Sequence, residues 1–193
     1  MFRVITMNYE AEVFRNQFPL VKWFVYHLTY YRALSKGYTE HRQQNEFWTL
    51  TIDAHLLRAT IDWCMVFGSD NSNPTHWKQL SITDSEQLCK SFREGLFKTT
   101  GLDRDSWRQY WESMTDFRNK YAAHRELAFK SPVPNFDMAL SVAYYYDNWV
   151  RRVISPDTFA EPQLESFALS LQKSVVPLVE KLLDVTGEVA NGR

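Results

Sequence analysis

Residues 39–67, TEHRQQNEFWTLTIDAHLLRATIDWCMVF, set Phe47, Leu50, Ala54, Leu57, Ile61 and Met65 three or four positions apart. That spacing returns each side chain to one flank of an α-helix, whereas a strand would alternate with a period of two. Gly68 closes the pattern as a helix stop. The same period recurs on both sides of this helix. Upstream, residues 9–35 carry Phe14, Phe18, Val21, Val25 and Leu28, with Pro19 predicted to kink or interrupt the helix and Gly37 to stop it. Downstream, SDNSNPTHW (69–77) is a loop in which Asn73 and Pro74 open a short helix reaching Leu80. Asp84 and Gln87 have the spacing of a capping box for a helix ending near Gly101, and Asp103 starts the next, which runs to about residue 127. After the loop KSPVPNF (130–136), Phe136–Ile154 resumes the period through Ala139, Val142, Tyr146, Trp149 and Val153. Beyond SPDTFAEP (155–162), residues 163–185 form a last amphipathic helix with Pro177 inside it. No segment alternates as a strand would. The expected fold is therefore all-α: an antiparallel bundle of about five to seven helices in one domain spanning 1–193. Its core covers about 40–155, with helices 9–35 and 163–185 packed on it.

Composition narrows the function classes. The 193 residues are 45% apolar and 16% aromatic with only six glycines, enough for a sizeable core of long packed elements. A formal charge of −1 gives no global field that would gather nucleic acid or an anionic membrane, so a polyanion would need a local basic stripe. The opening MFRVITMNYEAEV breaks its apolar run at Asn8 and then turns acidic, unlike a secretory leader. No stretch approaches the roughly 18 apolar residues of a membrane span. Cys64 and Cys89 lie in separate helical patterns and are expected to be buried thiols. These features together predict a cytoplasmic protein with no membrane partner.

Metal and cofactor chemistry find little footing. The chain lacks Glu-x-x-His pairs, His-x-x-x-His, Cys-x-x-Cys, phosphate-cradling glycine loops and a Gly-x-Ser-x-Gly elbow. Asp53 and His55 are two apart, about 200° around a helix, and cannot ligate together. No metal and no cofactor is expected.

The segment that carries chemistry is DFRNKYAAHRE, residues 116–126, in which Arg118, Asn119 and His124 form Arg-Asn-x-x-x-x-His. An Arg followed within several residues by a His should arise about once by chance in such a chain, but the added Asn lowers the expectation to about 0.015. The pattern resembles the signature of the HEPN superfamily, an all-helical group of ribonucleases and their relatives, and most nearly its AbiU-type, abortive-infection branch. WCMVFGSDNSNPTHWKQL (63–80) and ALSVAYYYDNW (139–149) are also similar to that branch. The likeness spans roughly residues 45–150, in helical layout more than in letters.

The resemblance implies a metal-independent endoribonuclease, a toxin or antiphage effector, that attacks through the ribose 2′-OH and leaves a 2′,3′-cyclic phosphate. His124 would transfer protons, since an imidazole titrates near neutrality. Arg118 would steady the charge developing on phosphate with its planar fork. Asn119 would orient the histidine, the phosphate or a helix contact, and Asp116 would pair with Arg118 or support the site. RNA is the implied substrate, and an antitoxin protein a possible partner. In the members neutralised by a nucleotidyltransferase a Tyr stands two residues after the His; here that position is Glu126, so that subclass is not supported. The other function open to the sequence is a non-catalytic helical module that dimerises and binds RNA or a protein. An unrelated bundle with an incidental Arg and His is the third.

Helix geometry adds a constraint. Arg118 and His124 lie about 9 Å apart along an α-helical axis and about 120° around it. They flank the apolar face Trp107, Tyr110, Met114, Phe117 and Tyr121, so two copies meeting across a twofold axis would bring one protomer's His to the other's Arg. A homodimer through this helix and 136–154 is expected. Arg104, Arg108, Trp111, Thr115, Arg118 and Arg125 fall within about 100° on the same helix and form a candidate RNA-binding stripe. Asp103, Asp105 and Glu112 dilute it, which also suits a merely solvated face. Tyr144, Tyr145, Tyr146 and Trp149 suit core and subunit interface better than a base-stacking platform.

Overall fold

The computed structural model describes residues 9–40, 46–80, 85–124, 132–157 and 160–190, the last five as backbone alone. Among them are six α-helices: α1 (Ala11–Glu40), α2 (Glu46–Phe67), α3 (Ser85–Thr100), α4 (Arg104–Phe117), α5 (Phe136–Val153) and α6 (Leu164–Ala190). A 3-10 turn covers Trp77–Leu80, and a π-helical turn, Arg118–Ala123, continues α4. No strand occurs among the described residues, and the fold is the expected all-α bundle. No helix among them is long and apolar enough to cross a membrane.

Local chemistry accounts for most boundaries. Asp103 caps α4 by accepting from the N–H groups of Asp105 and Ser106, while the Ser106 hydroxyl accepts from the Asp103 N–H. Asn135 caps α5 in the same way through Asp137 and Met138. Gly101 ends α3 at φ +71°, a left-handed position that favours glycine. Asp84 lies outside the described residues. The short helix expected from Asn73 is reduced to the 3-10 turn at Trp77–Leu80.

Pro19 does not interrupt α1, and Gly37 does not stop it. Pro19 lies inside α1, where buried Phe18, Leu20, Val21 and Phe24 outweigh the lost backbone bond. Gly37 also lies inside α1 rather than ending it. A Cβ there would collide with Leu183 and crowd Val179 of α6, so the glycine permits a close helix crossing.

The core is aromatic. Trp77 stacks on Phe92 with ring centroids 3.9 Å apart, and Trp149 stands edge-on to Phe92 at 4.9 Å. Trp63, Phe67 and Tyr146 fill the space between α2 and α5. Leu34, Trp48, Val175, Val179 and Leu183 form a second, smaller cluster joining α1, α2 and α6. Buried Asp147 ties these parts together: it accepts from Arg151 at 2.9 Å and from the Leu164 N–H at 2.8 Å, which caps α6 from α5.

The stripe that defines α2 by its periodicity is not the flank that α2 buries. Trp48, Leu56, Ala59, Trp63, Val66 and Phe67 face the interior. Phe47, Leu50 and Met65 are 64%, 61% and 40% exposed. α2 is apolar on more than one side, and the flank carrying the larger rings takes the interior.

Candidate functional site

The signature residues sit where α4 changes its winding. Met114 and Phe117 are buried in the main core, with Trp107, Tyr110 and Tyr121 packed against it. The helix therefore uses much of its apolar face for contacts within the chain. Past Phe117 the backbone widens: the His124 N–H donates to the Asn119 carbonyl at 3.1 Å, closing an i→i+5 ring. In an α-helix positions five apart lie about 140° from each other; the wider π turn brings Asn119 and His124 nearer one flank. The expected α-helix to about residue 127 is thus replaced by α4 plus this turn, and residues 125–131 lie outside the described set, Arg125 and Glu126 among them.

Two contacts with α2 hold the turn. The Tyr121 phenol donates to Asp53 at 3.0 Å, and the Tyr121 ring stacks on Phe117 at 4.9 Å. Arg118 is half-buried and directs its guanidinium at the Cys64 thiol. Burial pushes that thiol up to about 12, against the pull of Arg118, so Cys64 is a neutral partner. The Cys64 S–H in turn faces the Met114 carbonyl, 3.8 Å away. Asn119 and His124 are exposed. No hydrogen bond joins Arg118 to His124 within the chain among the described residues.

Asp116, expected to pair with Arg118 or to support the site, holds Lys120 at 2.7 Å. The two are four residues apart on the outer flank, and Arg118 has turned inward. The stripe along α4 is interrupted as well. Trp111 is anchored by its indole N–H to the carbonyls of Phe67 and Gly68, at 3.0 and 3.1 Å. Thr115 is buried and donates to the Trp111 carbonyl. Arg104 and Arg108 remain exposed, and Arg108 holds Glu112 at 3.1 Å. Arg104, Arg108 and Trp111 line one cavity rather than an open ridge. Tyr145, Tyr146 and Trp149 are core residues.

The apolar surface next to the turn belongs to α2. Asp53 and Cys64, which receive Tyr121 and Arg118, lie about 100° and 80° around α2 from the middle of the exposed stripe of Phe47, Leu50, Ala54 and Met65, between that stripe and the buried flank.

Sequence spacing did not pair His27 with His55, but α1 and α2 bring their Nδ1 atoms to 2.8 Å. Burial lowers both pKa values, with Arg58 adding to the effect at His27 and His27 at His55. The signal was invisible because the two residues share no helix. No group of three or more potential metal-ligating side chains occurs among the described residues.

No protein-family model matches the chain, and no curated protein and no solved structure matches it.

Proposed function

We propose that the chain is a metal-independent endoribonuclease of HEPN type, a cytoplasmic toxin or antiphage effector acting on RNA as a twofold homodimer. One observation supports this most: Arg118, Asn119 and His124 fall within or cap a π-helical turn braced from α2. Such turns are rare, replace a more stable α-helix and recur at functional sites. In the proposed reaction His124 takes the proton from a ribose 2′-OH, whose oxygen attacks the adjacent phosphorus. The 5′-oxygen leaves with a proton, giving a 2′,3′-cyclic phosphate and a 5′-hydroxyl. Arg118 donates to the phosphate as charge builds on it. Asn119, sharing a turn with His124, orients it.

Within one chain Arg118 turns toward α2 while His124 faces outward, so the site is completed by a second copy. The exposed stripe of α2 is the docking surface, in place of the α4 face and of α5, whose aromatic residues are spent on the core. An antitoxin protein would mask the same surface. RNA incubated with the protein in EDTA should be cut, with the product ends just described. A requirement for Mg²⁺, or ends bearing a 5′-phosphate, would sink the mechanism.

The engagement of Arg118 with Cys64 favours a second function, a non-catalytic dimerisation module that binds RNA or a protein. Under it the EDTA assay would show binding and no cutting.

A further inference from the structure

Away from the signature turn, positive charge gathers around a cavity of about 560 Å³ between α3, the 3-10 turn and the first half of α4. Pockets of roughly 300–1,000 Å³ are typical for small ligands. The apolar lining is almost wholly aromatic: Phe67, Trp77, Phe92, Phe97, Trp107 and Trp111, with Leu96 the one aliphatic side chain. Lys78, Arg93, Arg104 and Arg108 supply four cations against one lining carboxylate, Asp70. Asp70 is held by Lys78, and Glu112 by Arg108. Asp103, next to Arg104, is turned onto its own helix cap. Arg93 and Arg104 are exposed and carry no ion pair among the described residues.

The walls are also preset. Trp111 is fixed by its two backbone carbonyls, and Trp77 by its stack on Phe92. His76 is held by the Lys78 N–H donating to its Nδ1 at 3.2 Å. A rigid aromatic pocket selects flat π-systems over flexible chains, and a rim of free guanidinium groups selects phosphate over carboxamide or sugar alone.

We propose that this cavity binds a nucleoside monophosphate unit, its base against the Trp107–Trp111 wall and its phosphate on Arg93 and Arg104. The site is separate from the Arg118–His124 turn and does not require that turn to cleave anything. The nucleotide is either free or one residue of a strand, and the chemistry of recognition is the same.

Tryptophan emission of the whole chain, titrated with adenosine monophosphate, tests this directly. Saturable quenching in the micromolar range is expected, with adenosine and ribose 5-phosphate each about tenfold weaker or worse, because each lacks one half of the match. Arg93→Ala and Arg104→Ala, both on the exposed rim, should each weaken binding about tenfold without altering the fold, while Lys173→Ala on α6 should not. Displacement of the mononucleotide by oligoadenylate identifies a strand as the source; failure to displace identifies a free nucleotide. No saturable quenching up to millimolar nucleotide would overturn the proposal. So would equal affinity for adenosine, or unchanged binding in Arg104→Ala. Because nothing is cleaved in this assay, loss of the ribonuclease proposal would leave its result untouched.

Discussion

The His124 N–H reaches the Asn119 carbonyl at 3.1 Å, one residue further back than an α-helix would take it. That single bond re-aims the end of the motif relative to its beginning. Inserting an alanine after Ala122 should lengthen the turn by one residue and swing His124 by about 100° relative to Asn119. We expect the insertion variant to keep its helical circular dichroism and to lose RNA cleavage to background. Wild-type cutting by the insertion variant would show that the placement of His124 on this turn has no part in the chemistry.

The stripe on α2 predicts how copies associate. Phe47 and Leu50 are more than half exposed, so replacing them costs the single chain little. Light scattering over a dilution series should show a dimer for the natural chain and a monomer for Phe47→Glu with Leu50→Glu, at nearly the same melting temperature. A natural chain that is a monomer at micromolar concentration would leave Arg118 without a partner's histidine.

How these surfaces relate to the sequence is instructive. Helix periodicity was enough for the all-α class and for α5 and α6 to within about five residues, but it began α2 at Thr39, where the described helix starts at Glu46 and Thr39 and Glu40 belong to α1. Periodicity alone did not choose the buried flank of α2, because a three-and-four spacing through Leu50, Leu57 and Ile61 coexists with a second one through Trp48, Leu56, Ala59 and Trp63. Only the packed chain decides which flank wins. The signature residues were legible as letters, but their geometry was not, since 100° per residue holds only while the winding stays α. Asp116 was expected to pair with Arg118 or to support the site, and it holds Lys120, four residues on. The pairing of His27 with His55, and the cavity that gathers Arg93 from α3 with Arg104 from α4, depend on contacts between helices that no local pattern records.

Asp147 predicts a stability defect. Its carboxylate is buried, holds Arg151 and caps α6 through the Leu164 N–H. Asp147→Asn removes the charge that balances Arg151, and breaking such a buried pair typically costs about 3 kcal/mol or more. Urea unfolding should show that loss, and amide exchange at the start of α6 should accelerate. A change within about 0.5 kcal/mol would mean that water replaces the carboxylate.

His76 sets a pH dependence. Burial, its largest cause, lowers its pKa from 6.5 to about 4 in the folded chain. Above pH 6.5 the imidazole is neutral in both states and costs nothing. As pH falls through that window the unfolded chain binds the proton first, so stability declines down to about 4, by up to about 3 kcal/mol. The lowered values at His27 and His55 act in the same direction. His76→Gln should flatten the stability profile between these limits; an unchanged slope would assign the acid sensitivity to other groups.

The last prediction separates catalysis from charge. General acid–base catalysis contributes about 10²–10⁴-fold, so His124→Ala should lose about that factor in RNA cleavage. The residue is exposed, and its removal should not unfold the chain. Arg118→Lys keeps a cation but not the planar fork, and a half-buried ammonium beside Cys64 cannot offer phosphate two parallel donors. It should be severely impaired, where a purely electrostatic role would leave it near wild type. Lys120→Ala removes a cation from the same turn, yet that cation is already bound to Asp116, so the loss should be only a few-fold by comparison. The order His124→Ala and Arg118→Lys far below Lys120→Ala is what two positioned groups would give. Equal losses at all three positions would point instead to a basic surface that holds the RNA rather than to groups that react with it, and cutting that persisted in folded His124→Ala would remove the histidine from the reaction.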